Sequence, residues 1–335
     1  MTILFVGSTA ADLGGNTLKK TSPDDLGYPA DIFDSDFSSE AAGVMTTSLT
    51  TGNPFTIRTE AHTGDYWLRF RVVNRRVLEA AGQNGRWIVF LDANNEEVAE
   101  IDVSAAEFLA RSLGDTTVAG SSFFVSSYSV NFFDIKINVG SDIDIEIYQN
   151  GVLASSATAA NTGGKGSIRQ AKFEHADMLQ FQSSNQGWMY YSEVIVTDNE
   201  STIGMRVASL DPDTQGNSND MSGDPSALLD LENGETIFSD TVGDKESWNL
   251  TSYNGPTSPT SIRAVVTQTR STKGLTGPQN IRHFLRIGST DYDNGSDLTP
   301  SPLGETHIWE NNPATASAWS TSDFSSLQQG VEVRT

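Results

Sequence analysis

Apolar and polar positions alternate along much of this chain, most regularly over residues 141–157, where Ile143, Ile145 and Ile147 alternate with Asp142, Asp144 and Glu146. A period of two sends successive side chains to opposite faces of a strand, so this segment predicts one buried face and one acidic, solvated face. Asn150-Gly151 follows, the pair best suited to the positive φ angles of a type I′ turn, and Val152, Leu153 and Ala154 begin the return strand of a hairpin. Residues 65–74 are strand-like in aromatic and β-branched content, with Trp67, Arg69 and Arg71 on one face and Leu68, Phe70 and Val72 on the other. Residues 86–92 and 98–103 flank a turn at 93–96 and predict a second hairpin. Further strands are expected at 1–7, 132–139, 178–182 and 189–198, while 105–112 fits either a short helix or a strand.

From residue 207 the pattern changes. Residues 207–244 hold nine carboxylates and no Lys or Arg, with Gly, Asn, Ser and Pro throughout, which predicts a boundary followed by long loops. Strands are expected again at 262–269, 281–288, 307–310 and 331–334. Phe324, Leu327 and Gln328 lie between a Ser/Thr/Asp start at 321–323 and a stop at Gly330, the pattern of a short capped helix. Residues 10–51 are rich in Gly, Ser, Asp and Pro and predict a long loop or arm. The expected organisation is all-β: a jelly-roll β-sandwich over 1–205, then a second, smaller β-sandwich over 206–335.

Composition narrows the functional classes. The 335 residues include 43 acidic and 21 basic side chains, a net charge of −22, which sets aside nucleic-acid and anionic-membrane binding through counterion release. Without Cys there is no disulfide framework, thiolate zinc site or cysteine nucleophile. Residues 1–7 lack a basic n-region, and nowhere do roughly 18 apolar residues run together. The expectation is a protein made and folded in a cytoplasm, without membrane insertion.

Candidate chemistry is sparse. Asp142, Asp144 and Glu146 sit at alternate strand positions, about 7 Å apart for successive pairs. Paired carboxylates suggest a sugar hydrolase centred on Asp144 and Glu146, since a retaining enzyme needs two carboxyls about 5–5.5 Å apart. Glucanases of the laminarinase and lichenase type set theirs on one strand as Glu-x-Asp-x-(x)-Glu; here Asp142 stands at the nucleophile position, and a solvated strand face is the plainer reading. Asp211 and Asp213 open a stretch spaced like a cation loop with Gly216 at its sixth place, but Ser222 replaces the twelfth-place Glu. Asp291 and Asp293 are a second candidate pair, and calcium is the one candidate cofactor. Residues 163–167 lack P-loop spacing and read as a flexible loop, and the four His residues lack metal spacing. Trp188, Tyr190 and Tyr191 with Asn185 combine flat rings and an amide, the mixture that covers sugar faces and satisfies hydroxyls, although strand aromatics also serve as core.

Several stretches carry a family resemblance. Ile147-Tyr148-Gln149-Asn150-Gly151-Val152, followed by Tyr190-Tyr191-Ser192-Glu193-Val194-Ile195-Val196, is similar to concanavalin A-like, laminin-G-like jelly rolls. Glu193 takes the place of an acidic residue in that pattern, and Ser192 departs from it. Met205-Arg206-Val207, residues 287–293, Ile308-Trp309-Glu310-Asn311-Asn312-Pro313-Ala314-Thr315, Ala318-Trp319 and residues 330–333 resemble the carboxy-terminal module of structural proteins of tailed bacteriophages. The resemblance implies a non-enzymatic virion component of tail-fibre, head-fibre or baseplate type, exposed on the particle surface. It further implies a homo-oligomer that partners other virion proteins and attaches to a host-surface glycan. It carries over no catalytic residue. A purely architectural capsid-decoration or tail role and a glucanase-like hydrolase are the alternatives.

Overall fold

The computed structural model describes residues 2–7, 19–20, 42–45, 55–75, 84–104, 107–125, 129–174, 188–208, 210–223, 236–253, 261–301 and 305–335; at 19–20, 42–45, 73–75, 84, 104 and 188–190 the backbone alone is described. The chain divides into two compact units, Met1–Val207 and Ala208–Thr335.

The first unit is a jelly-roll β-sandwich of an eight-stranded and a seven-stranded antiparallel sheet. The larger sheet runs Val152–Ala160, Asp142–Gln149, Val130–Val139, Tyr66–Arg75, Trp188–Asp198, Ala42–Met45, Lys19–Lys20, with Thr2–Gly7 also on Trp188–Asp198. The smaller runs Phe123–Phe124, Glu107–Leu113, Glu97–Ser104, Asn84–Leu91, Gln170–Phe173, Phe55–Arg58, with Thr117–Ala119 on Glu107–Leu113. Two of these short strands, at 19–20 and 42–45, fall inside the stretch expected as a loop or arm.

Alternation places the core between the sheets. Leu68, Phe70 and Val72 from one strand, and Ile143, Ile145 and Ile147 from another, are fully buried against Trp87, Phe90 and Phe173 of the facing sheet. Phe70 meets Trp87 edge-on, with ring centroids 5.4 Å apart and planes at 89°, an arrangement that aromatic quadrupoles favour. Asn150 (φ 52°) and Gly151 (φ 79°) form the expected hairpin turn. Residues 107–113 are a strand: Phe108, Ala110 and Ser112 point inward at period two, and burial decides between the two readings the sequence allowed. The 161–167 loop is firmly tied, not free. Asn161 receives the Lys165 N–H and donates to the Gly140 and Lys165 carbonyls, while the Lys165 ammonium caps the carbonyls of Glu97 and Leu113.

The second unit has a five-stranded antiparallel sheet in the order Pro212–Asn219, Lys245–Leu250, Leu327–Arg334, Asn280–Ile287, Thr290–Asp293. A two-stranded ribbon, Val265–Thr269 with Glu305–Trp309, supplies Val265 and Trp309 to a core shared with Leu285, Trp319 and Leu327. The helix expected near 321–330 is a single 3-10 segment, Thr321–Ser326. Leu327 already belongs to the final strand, and Gly330 is inside that strand where a helix stop was expected. The reason is packing: at 330 a Cβ would come within 2.2 Å of the Phe284 ring, so glycine is required there by contact.

Candidate functional site

Two outward faces of the first unit carry its chemistry. On the seven-stranded sheet, Ile101 and Val103 enter the core, so Glu100 and Asp102 face outward. Register sets Asp102 opposite Arg86 and Glu100 opposite Arg111. The Arg86 guanidinium reaches Glu97 at 2.6 Å, Glu174 at 2.9 Å and Glu100 at 3.7 Å, and Arg111 reaches Asp102 at 2.6 Å. Lys172 joins Glu174 at 2.5 Å. Beside this network Arg58 donates to Gln170, which donates to Asn95. Burial raises the Glu100 carboxyl above its ordinary range, and the Asp102 charge raises it further against the opposing pull of Arg86 and Arg111.

The sequence held a signal for this face. Glu100-Ile101-Asp102 meets the first two places of the Glu-x-Asp-x-(x)-Glu pattern, but Ser104 or Ala105 stands at the third. The final Glu of the pattern is thus missing from that strand, and the neighbouring strands set Arg86 and Arg111 against the two acids that are present.

The outer face of the eight-stranded sheet holds the acidic strand singled out from the sequence. Thr158 donates to Asp144 at 2.6 Å and Tyr148 donates to Glu146 at 2.5 Å. The bond to Glu146 is the main reason the Tyr148 hydroxyl is pushed up to about 12, with burial adding to it. Asp144 and Glu146 are each held by a hydroxyl of their own sheet, and Asp142 is exposed.

Further along this face Arg69, opposite Asp134 in register, gives both carboxylate oxygens a hydrogen bond from Nη1, at 2.8 and 2.7 Å. Thr202, from the turn after the last strand, donates to the same Asp134 at 2.7 Å. Arg69 and Arg206 both lie over the Phe132 ring, 4.7 and 5.0 Å from its centroid. An open cleft of about 250 Å³ lies here, lined by Arg69, Phe132, Asn150, Gly151, Ile203 and Gly204.

The residues nominated for sugar contact part company. Tyr191 is fully buried among Phe55, Phe70 and Phe173, and its hydroxyl accepts a 2.7 Å hydrogen bond from Trp87. It is a core residue and presents no surface to a sugar; burial drives its hydroxyl well above its ordinary pKa. Trp188 and Tyr190 lie on the same strand with only their backbone described, and Asn185 lies outside the described residues.

The cation candidates meet a similar obstacle. Asp211 precedes, and Asp213 belongs to, the extended edge strand Pro212–Asn219. A strand does not wrap around an ion as a calcium loop does, so the expected run of successive ligands after Asp211 and Asp213 is not formed. Asp291 is ion-paired with Arg286 at 2.7 Å and Lys245 at 3.1 Å. Asp293 is paired with Arg282 at 3.5 Å and accepts the Gly295 N–H at 2.8 Å. Among the described residues, no group of three or more His, Asp or Glu is arranged to hold a metal ion.

No family model and no curated protein matches the chain. Among solved structures it is similar to an endo-β-1,4-glucuronan lyase from the fungus Trichoderma reesei, at 14% identity and a TM-score of 0.41, over 55% of this chain and 87% of that one. It is similar to a cellulose-induced protein at 10% identity and a TM-score of 0.39, over 58% and 88% of the two chains. A galectin from Caenorhabditis elegans aligns at 10% identity and a TM-score of 0.30, over 44% of this chain and 93% of that one.

Proposed function

We propose that this chain is a non-enzymatic structural component of a virus particle, of the tailed-bacteriophage type that its sequence resembles, and that its first unit attaches the particle to a host-surface glycan. The observation that carries the binding part of the reading is the pairing of the outward carboxylates. A glycosidase needs one protonated carboxyl at the leaving oxygen and a second, free carboxylate across the sugar. Here Glu97, Glu174 and Glu100 surround one guanidinium, and Asp144 and Glu146 are bonded to hydroxyls. Such faces offer fixed donors and acceptors to sugar hydroxyls, and these carboxylates, among the described residues, are already engaged by arginines or hydroxyls. Assembly as a homo-oligomer beside other virion proteins would multiply weak contacts into avidity.

One observation favours a second reading. The raised Glu100 carboxyl beside Asp102 is the kind of perturbed group on which a hydrolase would build its acid. The purified protein should be incubated with intact candidate host cells, with calcium and with chelator, while released sugar is followed. Retention without release supports attachment. Release that Glu100→Gln abolishes establishes the hydrolase, and no retention on any cell type leaves a purely architectural role.

A further inference from the structure

The cleft beside the Asn150–Gly151 turn has a feature the attachment reading does not use. Arg69 lines it and is only 4% exposed, yet its Nε has no hydrogen-bond partner. Nη1 supplies both hydrogen bonds to Asp134, so the opposite edge of the guanidinium is left without an acceptor. A buried donor without an acceptor costs free energy, and guanidinium edges match pairs of oxygen atoms. We propose that this cleft binds a single neutral sugar ring, with vicinal hydroxyl oxygens accepting hydrogen bonds from the free edge of Arg69. The choice of a sugar as ligand rests on the attachment reading.

Three observations define the ligand. The volume, about 250 Å³, lies below the roughly 300–1,000 Å³ typical of drug-sized sites, which suits one ring and not an extended chain. Charge is balanced locally, Arg69 by Asp134 and Arg206 by Glu193, while the whole chain carries −22. A neutral acceptor therefore fits better than an anion. The walls combine apolar Phe132 and Ile203 with Gly151 and Gly204, whose φ of 79° and 82° disfavour any side chain, so a ring can rest on carbon while its hydroxyls reach main chain.

The cleft is also pre-formed. The Asn150 side chain accepts the Phe132 N–H at 2.9 Å, fixing the hairpin tip to the neighbouring strand. Thr202 is buried on Asp134, and its carbonyl accepts the Met205 N–H at 2.9 Å, closing the turn that carries Ile203 and Gly204. A wall held in place on both sides loses little entropy when a ligand arrives.

The test is NMR titration of the full-length protein with neutral hexoses, with glucuronate and with acetate. The Arg69 Nε–H and the Gly151 and Gly204 amides are expected to shift with a neutral hexose, and at least about tenfold more glucuronate should be needed for the same change. Ile203→Trp, a substitution on an exposed turn that covers the mouth, and Arg69→Lys, which keeps the charge for Asp134 but not the fork, should each weaken binding by about tenfold or more. Unmoved cleft resonances in a protein still retained on polysaccharide would overturn the cleft and leave attachment standing. A response to acetate and glucuronate but not to hexose would overturn the neutral ligand. No response to any sugar together with no retention on polysaccharide would overturn both.

Discussion

Arg206 holds both carboxylate oxygens of Glu193, with Nε at 2.7 Å and Nη2 at 3.0 Å. Glu193 is fully buried, has a φ of 52°, and sits where the pairing of Trp188–Asp198 with Tyr66–Arg75 slips between Ser192 and Ile195. A left-handed glutamate and a buried charge are both unfavourable alone. Together with Arg206 they fasten a bulge in a central strand to the last residues of the first unit.

Removing Arg206 takes two charge-assisted hydrogen bonds from a buried carboxylate. Arg206→Met is expected to destabilise the first unit by about 3 kcal/mol, the low end for broken buried pairs because the arginine is partly exposed. Scanning calorimetry should show the first unit's transition falling while that of the second stays in place.

Tyr191→Phe removes the acceptor for the buried Trp87 N–H. The expected loss is about 2 kcal/mol, the cost of a buried donor left unmade. Because Tyr191 is in the core, retention on polysaccharide should be unchanged once the variant is folded. A large loss of retention at full stability would return Tyr191 to the surface role its sequence context suggested.

Acid should weaken the second unit through His283. This ring is fully buried between Thr267 and Thr269, with Glu305 bonded to Thr269, and burial lowers its pKa to about 4, with the His307 charge adding to the effect. His307 is itself lowered by burial. A histidine near 6.5 when unfolded and about 4 when folded stabilises the fold fully above pH 6.5 and loses that contribution as pH falls from 6.5 to 4, about 3 kcal/mol in all. The second unit's melting temperature should fall over that window, and His283→Gln should flatten the fall.

Gly330→Ala tests the contact that forbids a side chain in the final strand. The Phe284 ring covers Gly330, and the Lys245 ammonium lies 5.1 Å from that ring's centroid. Both sides of the ring's position are set, so the added methyl should cost about 3 kcal/mol as overpacking. Urea titration of the second unit would register it.

The readable part of this fold was the part fixed by local chemistry. The hairpin of residues 142–160 followed from isoleucine alternation and Asn150-Gly151, and Leu68, Phe70 and Val72 followed from the same period. Trp67, Arg69 and Arg71 lie on the opposite face of that strand, as the period required, yet they too are almost fully buried. For Arg69 the reason is non-local: Thr202 caps its partner Asp134 from a turn 68 residues further along the chain. The Glu97–Ser104 face escaped notice because Glu100 and Asp102 gain their meaning only from Arg86 and Arg111 across two register pairings. The segment around Asp211 and Asp213 read as a loop because a strand rich in Asn, Asp and Gly has the composition of one. Gly330 misled because a glycine that makes room for a ring looks the same in sequence as one that ends a helix.

The most direct measurement of the central claim is the chain length of a host polysaccharide before and after incubation with the protein, taken on the same sample in which retention is measured. The account predicts that the protein sediments with the polysaccharide and that the polymer's size distribution and reducing ends do not change. Shortening of the polymer, or the appearance of new chain ends in proportion to protein added, would contradict it.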